Sequence, residues 1–411
     1  MKIPKVYIIG GGASGMIAAV AARRMGADVT ILERNNRVGR KILATGNGRC
    51  NYTNVETSIE DYNNPSFVSY ALSHFSPAKA LDFFSELGIV PKVEKEGKTY
   101  PLSEQASSIV DVFLYELDHL NIEVVTDAFV SNIIRKNNYF TVQLEDGRNF
   151  DADKVIISTG GMALPKSGSD GSGYDLAKKL GHTITEVFPS IVKLKLDSPY
   201  LKHLEGIKMP TKVELIVDNQ VIQKEEDDIL FGNYGISGPA ILDISRKANE
   251  LFLSGKTPFV KLILVSQLTR PEVEKRFEYA KERPIDFALV GLVHKRYISA
   301  LVKEAGIQKQ NTLVKDLSNK ELTKVIDLLF DWRFPVRGSK SFQDAQATAG
   351  GVSVREIDDT TMESRLVSGL YFTGEVMDID GRCGGFNLQW AWSSGYLAGY
   401  HAATGKIYGQ D

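Results

Sequence analysis

Val6-Tyr7-Ile8-Ile9-Gly10-Gly11-Gly12-Ala13-Ser14-Gly15-Met16 is the stretch on which the fold turns. The residues before Gly10 are aliphatic or aromatic and suit a short buried strand, whereas residues 16–25 are rich in Ala and read as a helix ending near Gly26. Between them lies GxGxxG in the strand-to-helix setting that gives the motif meaning. Gly10 serves the tight turn, Gly12 lets backbone approach a pyrophosphate, and Gly15 lets the helix lie close to the sheet. The first-turn N–H groups, those of Ala13 and Ser14 included, then attract phosphate with the help of the helix dipole. A second strand at 29–32 ends in Glu33, where a carboxylate would accept hydrogen bonds from ribose hydroxyls and repel a 2′-phosphate. The expected class is α/β, a Rossmann-like FAD/NAD(P)-binding domain. The competing reading is a glycine-rich turn followed by a coincidental acid.

The rest of the composition narrows the function class. The chain has 411 residues, enough for two or three domains, with 49 Lys+Arg against 51 Asp+Glu and 43% hydrophobic residues. This balance gives no basic excess for nucleic acid, so no nucleic-acid partner is expected. The uncharged run 6–22 after Lys2 and Lys5 superficially resembles an export signal, but three consecutive glycines inside its apolar segment cost about 1 kcal/mol each in a helix. No other stretch reaches the length of a membrane span, so no membrane partner and a cytoplasmic location are expected. Cys50 and Cys383 are the two cysteines and form no CxxC, which argues against a disulfide framework or a thiolate metal site.

Much of the glycine, 36 residues in all, falls into a few further turns. Gly369-Leu370-Tyr371-Phe372-Thr373-Gly374-Glu375 reads as turn, buried strand and Gly-acid pair. Gly381-Arg382-Cys383-Gly384-Gly385-Phe386-Asn387-Leu388 opens a helix to about Gly399, whose positive N-terminal end can face a reduced flavin. An apolar strand at 153–158 leads into Thr159-Gly160-Gly161, and Gly168, Gly171 and Gly173 precede a helix at 174–180. Strands are expected at 122–125, 128–134 and 139–144, with Val130 placed for backbone contact with an adenine edge. The loop after Glu33 and Arg34 is unusual: Gly39-Arg40-Lys41 and Thr45-Gly46-Asn47-Gly48-Arg49-Cys50-Asn51-Tyr52-Thr53-Asn54 mix cations and glycines with hardly any apolar residues. Lys41 and Arg49 can neutralise a pyrophosphate, and the glycines admit main chain against a planar ring. A solvated basic loop explains the same composition.

These motifs carry a resemblance. GGGASG (10–15), GRKILATGNGRCNYTN (39–54), STGG (158–161), FGNYGISGPAILDIS (231–245), TAGGVSVREID (348–358), TMES (361–364) and GLYFTGEVMDIDGRCGGFNLQWAWSSGYLAG (369–399) resemble bacterial flavoproteins described as aminoacetone oxidase-like or NAD(FAD)-utilising dehydrogenases. The resemblance implies bound FAD and a discontinuous FAD domain interrupted by two inserted regions. Placed on this sequence, the FAD domain is residues 1–190 plus 346–411, an inserted β-rich domain is 191–255 plus 331–345, and a small helical domain is 256–330. It implies a cofactor site made of Gly10, Gly12, Ala13, Ser14, Gly15, Glu33, Arg34, Lys41, Arg49, Cys50, Val130, Thr159, Gly160, Gly374, Glu375, Gly385, Phe386, Asn387 and Leu388. It leaves the substrate open between an aminoacetone-like amine with oxygen as acceptor and a steroid-type enone.

The chemistry expected is hydride transfer to or from flavin N5 with a small-molecule substrate. Only one convincing dinucleotide fingerprint is present, so either the substrate reduces the flavin or NAD(P)H binds transiently without a Rossmann unit of its own. No catalytic base can be named: none of the six histidines sits in a recognised motif. Arg49 is a candidate for flavin-side electrostatics, Tyr52 and Tyr234 are candidate donors near a substrate, and the two cysteines read as packed thiols or a dithiol relay. A non-catalytic FAD-binding redox sensor and an RNA-modifying flavoenzyme are the other classes the motifs admit.

Overall fold

The computed structural model describes residues 3–410 and divides into two compact units, residues 1–190 with 342–411 and residues 191–341. In the first unit, β1 (Lys5–Ile9), α1 (Ala13–Arg24) and β2 (Asp28–Leu32) form the expected opening, followed by β3 (Glu123–Val125), β4 (Lys154–Ile157), β5 (Leu370–Phe372) and α2 (Phe386–Thr404). The strands make one sheet in the order β5-β4-β1-β2-β3, with every pairing parallel. Its register is level: Ile9 pairs with Leu32 on one side and Ile157 on the other. All strands therefore release their next residues along a single rim. The hydrogen bonding runs one step beyond them, from Gly10 N to Leu32 O, Ser158 N to Ile9 O and Thr373 N to Ile157 O. The chain order reverses at β1, where an open parallel sheet leaves its crevice.

The sheet is covered on both faces, as near-continuous apolar strands require. An antiparallel layer of Val130–Arg135, Phe140–Leu144 and Asn149–Ala152 contributes Phe150 against Tyr7, with ring centroids 5.4 Å apart. The first two strands match those expected from the sequence; the third, with its Asn and Asp residues, lacks a strand pattern. α1 and α2 pack against each other through small residues: a Cβ at Gly395 would lie 2.4 Å from the Ser14 carbonyl oxygen, and one at Gly399 2.2 Å from that of Ala18. Ser14 and Ala18 reach the partner backbone only because these positions are glycine. α2 is buried nearly all round, which explains its weak amphipathic pattern in the sequence.

In the second unit, six strands close a barrel in the order Leu194–Leu196, Gly235–Ser237, Gln220–Gly232, Lys208–Val217, Phe259–Ile263 and Trp332–Ser339. The second and third of these in chain order join through a tight hairpin at Asp218 and Asn219, both with positive φ, the geometry that matches strand twist. Phe259–Ile263 lies in the stretch expected to be a separate helical domain, yet it pairs on both sides within the barrel. The helices Arg270–Tyr279, Lys295–Glu304 and Asn319–Phe330 share one apolar core with it: Val273, Phe277, Tyr297, Leu301, Val325 and Leu329 join Val260, Leu262, Trp332 and Phe334. Between the first two of these helices lies a single helical turn, Ile285–Ala288, with Leu289 buried and Phe287 exposed.

Candidate functional site

The rim of the parallel sheet opens into a cavity in the first unit. Gly10, Gly12, Ala13, Ser14, Glu33, Arg34, Lys41, Val130, Thr159, Gly160, Glu375, Asn387 and Leu388, all expected at the cofactor, line it. Segments separated by hundreds of residues meet here because the level register delivers each to the same edge.

The glycines of the fingerprint have three different surroundings. Gly10 has φ +102° and a Cβ there would lie 2.6 Å from the Ser158 carbonyl oxygen. At Gly15 the Cβ would lie 2.0 Å from the carbonyl oxygen of Gly10, so this glycine lets α1 sit against the turn and does not itself line the cavity. Gly12 differs from both: its Cβ would meet nothing within 4 Å. It is the N-cap of α1, no side chain caps the helix, and its Cβ position opens on the cavity. The start of α1 thus combines uncapped N–H donors with an empty volume the size of a side chain, a cradle that fits a dinucleotide pyrophosphate.

Glu33 is 6% exposed. One carboxylate oxygen accepts the Gly11 N–H at 2.8 Å; the other accepts the backbone N–H of Asn35 at 2.8 Å and its side-chain amide at 2.7 Å. Those bonds hold the acid at the rim with one lone pair remaining for a ribose hydroxyl. Arg34 pairs with Asp170 at 2.5 Å and lies over Phe129, which fixes its guanidinium at the carboxyl end of β2. Lys41 pairs with Glu375 at 2.5 Å, and the second oxygen of Glu375 accepts the Thr348 N–H at 2.6 Å. α2 also begins without a side-chain cap, and Asn387, in its first turn, exchanges hydrogen bonds of 3.0 Å with the N–H and the carbonyl of Gly381.

Several expected residues stand outside the cavity lining. Gly374 is packed on Ser14, where a Cβ would lie 2.7 Å from the hydroxyl, and Gly385 sits 2.6 Å by the same measure from the Thr53 carbonyl oxygen. Phe386 belongs to the core. Arg49 turns elsewhere, stacking 4.0 Å above the Tyr100 ring and pairing with Glu94 at 3.1 Å. Cys50 is fully buried, and burial pushes its thiol up to about 12, so it carries no thiolate at neutral pH. Tyr52, weighed as a donor, is likewise buried, with its ring on Phe84. Conversely, Arg37, Thr45, Ser169, Leu176, Gln346 and Ala391 line the cavity without having been singled out. Helical spacing held part of that signal, since Ala391 follows Leu388 by one turn. Gln346 had none, because it precedes strand Ala347–Ala349, which is placed by pairing with Phe188–Ser190.

One histidine is structural. His182 is 4% exposed, with Nε2 2.9 Å from the Ser364 hydroxyl and Nδ1 3.3 Å from Glu356. Burial lowers its pKa, against the opposing pull of Glu356, and His401 shifts the same way for the same reason. A lowered folded pKa means the unfolded chain binds more protons just below the ordinary histidine range. Stability is therefore full above about pH 6.5 and falls as the pH drops toward the folded values. Thermal melts from pH 7.5 to 5 are expected to show this fall, with a shallower slope in His182→Asn; an unchanged slope would remove His182 from the account.

With this geometry, the comparisons with known proteins decide the family. Residues 4–401 match the family described as HI0933-like protein Rossmann domain. The chain belongs to the HI0933-like family. It is 36% identical over 407 residues to the 3-dehydro-bile acid delta(4,6)-reductase of Clostridium scindens, covering 97% of this chain and 99% of the relative. It is 32% identical to the ribosomal RNA dihydrouridine synthase of Escherichia coli K12, covering 97% and 98%. Among solved structures, a flavocytochrome c3 fumarate reductase in its open conformation aligns with a TM-score of 0.50 at 15% identity, covering 98% of this chain and 78% of that one. That likeness speaks for the fold alone.

The chain is an FAD-dependent oxidoreductase with a Rossmann-like FAD domain and a β-barrel insertion. Among the described residues no helix is long and apolar enough to cross a membrane, and no group of His, Cys, Asp and Glu could hold a metal ion. The expectation of no nucleic-acid partner does not carry forward, because a relative of nearly full coverage is named for ribosomal RNA.

Proposed function

We propose that this enzyme reduces a carbon–carbon double bond conjugated to a carbonyl in a cyclic substrate, a steroid-type enone foremost. The observation that carries this reading is shared chemistry between two relatives of nearly full coverage. The name of one describes a 3-oxo substrate with Δ4 and Δ6 double bonds, and that of the other a uridine whose 5,6-double bond, conjugated to the 4-carbonyl, is saturated. FAD, when bound, supplies the hydride chemistry.

The residues of the chain then have distinct tasks. The N-terminus of α1 and the open position at Gly12 receive the pyrophosphate, and Glu33 takes the adjoining ribose. Thr45 spends its hydroxyl proton on the Ile42 carbonyl, and Asn387 commits its amide to its own loop. Gln346 is exposed at the cavity and its carboxamide is available to donate to a substrate carbonyl. Overall, NAD(P)H and one proton are consumed, with hydride added to the β-carbon and the proton to the α-carbon. NAD(P)H acts as a transient reductant, consistent with the single dinucleotide fingerprint.

The near-neutral charge favours a small enone over RNA. The holoprotein is tested anaerobically with NADPH or NADH and a 3-oxo-Δ4 steroid, and the product is weighed by mass spectrometry. A gain of two hydrogens in the steroid is expected, with matching loss of NAD(P)H. The same gain confined to uridines of ribosomal RNA would move the substrate to that class. Flavin bleaching by aminoacetone, with oxygen consumed in air and neither saturation seen, would overturn the proposal in favour of amine oxidation.

A further inference from the structure

The cavity receives four basic side chains, Arg34, Arg37, Arg40 and Lys41, all from the loop after β2. They are not equivalent. Arg34 is held by Asp170 and Phe129, and Arg40 donates to the Asn35 side-chain oxygen at 2.7 Å, so both stay with the segment at the carboxyl end of β2. Lys41 alone of the four crosses to the acid that follows β5. β5 lies two strands from β1, on the side away from β2. At about 4.8 Å per strand spacing, that displaces its end by roughly 10 Å from the pyrophosphate turn. A dinucleotide whose ribose meets Glu33 and whose pyrophosphate meets Gly12 has only its ribityl and ring half left to lie in that direction.

The Lys41 and Glu375 side chains are 22% and 17% exposed, shielded enough for charge to act strongly. The carboxylate is itself pinned by the Thr348 N–H, so it fixes where the ammonium sits. Gly160, which lines the same cavity, is held to glycine by its φ of +71° and by the Ser169 hydroxyl, 2.7 Å from where a Cβ would stand. We infer that Lys41 is the residue that sets the redox potential of the flavin, with Glu375 as its positioning residue, whereas Arg37 serves affinity for the phosphates. Reduction adds negative charge to the ring, and a cation held on that half stabilises the reduced form selectively. A cation at the pyrophosphate stabilises both forms alike and changes affinity only.

The test uses the purified holoprotein and reads no turnover. Midpoint potentials are measured by equilibration with a reference dye, sulfite affinity by loss of flavin absorbance, and FAD affinity by fluorescence titration of apoprotein. Lys41→Gln, saturated with FAD, is expected to shift the reduced-to-oxidised ratio at least tenfold toward oxidised, 29.6 mV for a two-electron couple. Its sulfite Kd should rise at least tenfold, with the FAD Kd within about threefold. Lys41→Arg, which keeps the charge, should restore the potential to near the parent value. Arg37→Gln should weaken FAD binding and leave the potential in place. If Lys41→Gln loses FAD affinity as Arg37→Gln does while its potential stays unchanged, Lys41 is a phosphate ligand and the inference fails. Should Lys41→Gln not fold, Glu375→Gln carries the test: a raised sulfite Kd supports the pair, and an unchanged or lowered one overturns it.

Discussion

Valine at position 12 is expected to leave a folded apoprotein that no longer holds FAD. The backbone there, φ −82° and ψ −167°, is extended and open to any residue, and a Cβ would touch no protein atom within 4 Å. Valine is a poorer N-cap than glycine, at a cost of about 1 kcal/mol, which a folded apoprotein should tolerate. In the proposed site, the space the side chain would fill is the space through which a pyrophosphate approaches the first turn of α1. A roughly 100-fold loss of FAD affinity is expected, about 2.8 kcal/mol. Gly10→Ala provides the contrast, because its Cβ meets backbone and its φ is positive, so it should destabilise the apoprotein itself. Apoprotein melts and FAD titrations of the two variants separate these effects. A Gly12→Val protein with unaltered FAD affinity would mean that the cofactor does not pass over this turn.

Alanine at position 395 should do the opposite and damage the fold first. In an isolated helix this change gains about 1 kcal/mol. Here the added Cβ would stand 2.4 Å from the Ser14 carbonyl oxygen and 2.6 Å from Ile17, and Ser14 is held in the first turn of α1. Backbone cannot yield as a flexible side chain can, so overpacking wins, with a net loss of about 2–3 kcal/mol. The urea midpoint should fall with an unchanged m-value. FAD affinity should fall with it, because the helix displaced is the one whose N-terminus lines the cavity. A more stable Gly395→Ala would contradict the close crossing of α1 and α2.

How far the site could be read in advance depended on how local each interaction is. Gly10, Gly12, Gly15 and Glu33 were legible because strand, turn, helix, strand and acid follow one another within a single unit of chain. Arg49 shows the limit of that reading. It has the charge suited to a phosphate or flavin, but Glu94, 45 residues further on, and the Tyr100 ring take it instead. Nothing in the loop composition encodes that competition. Cys50 was ambiguous for the same reason, its chemistry being settled by complete burial. The expected division between a β-rich and a helical insertion met a similar difficulty: Phe259–Ile263 looks like any short apolar strand until its two barrel neighbours are known.

Local sequence was enough for the α/β class, the dinucleotide turn and the acid at the end of the second strand, because backbone period, glycine freedom and turn chemistry act over a few residues. Tertiary structure alone decided which side chains share the cavity and how each charge is spent. It sent Lys41 across to Glu375 and Arg49 away to Glu94, and it brought Gln346 to the rim through a strand from the far end of the chain. A charge takes its role from the partner it meets, and those partners come together only when the sheet aligns its strands on one edge.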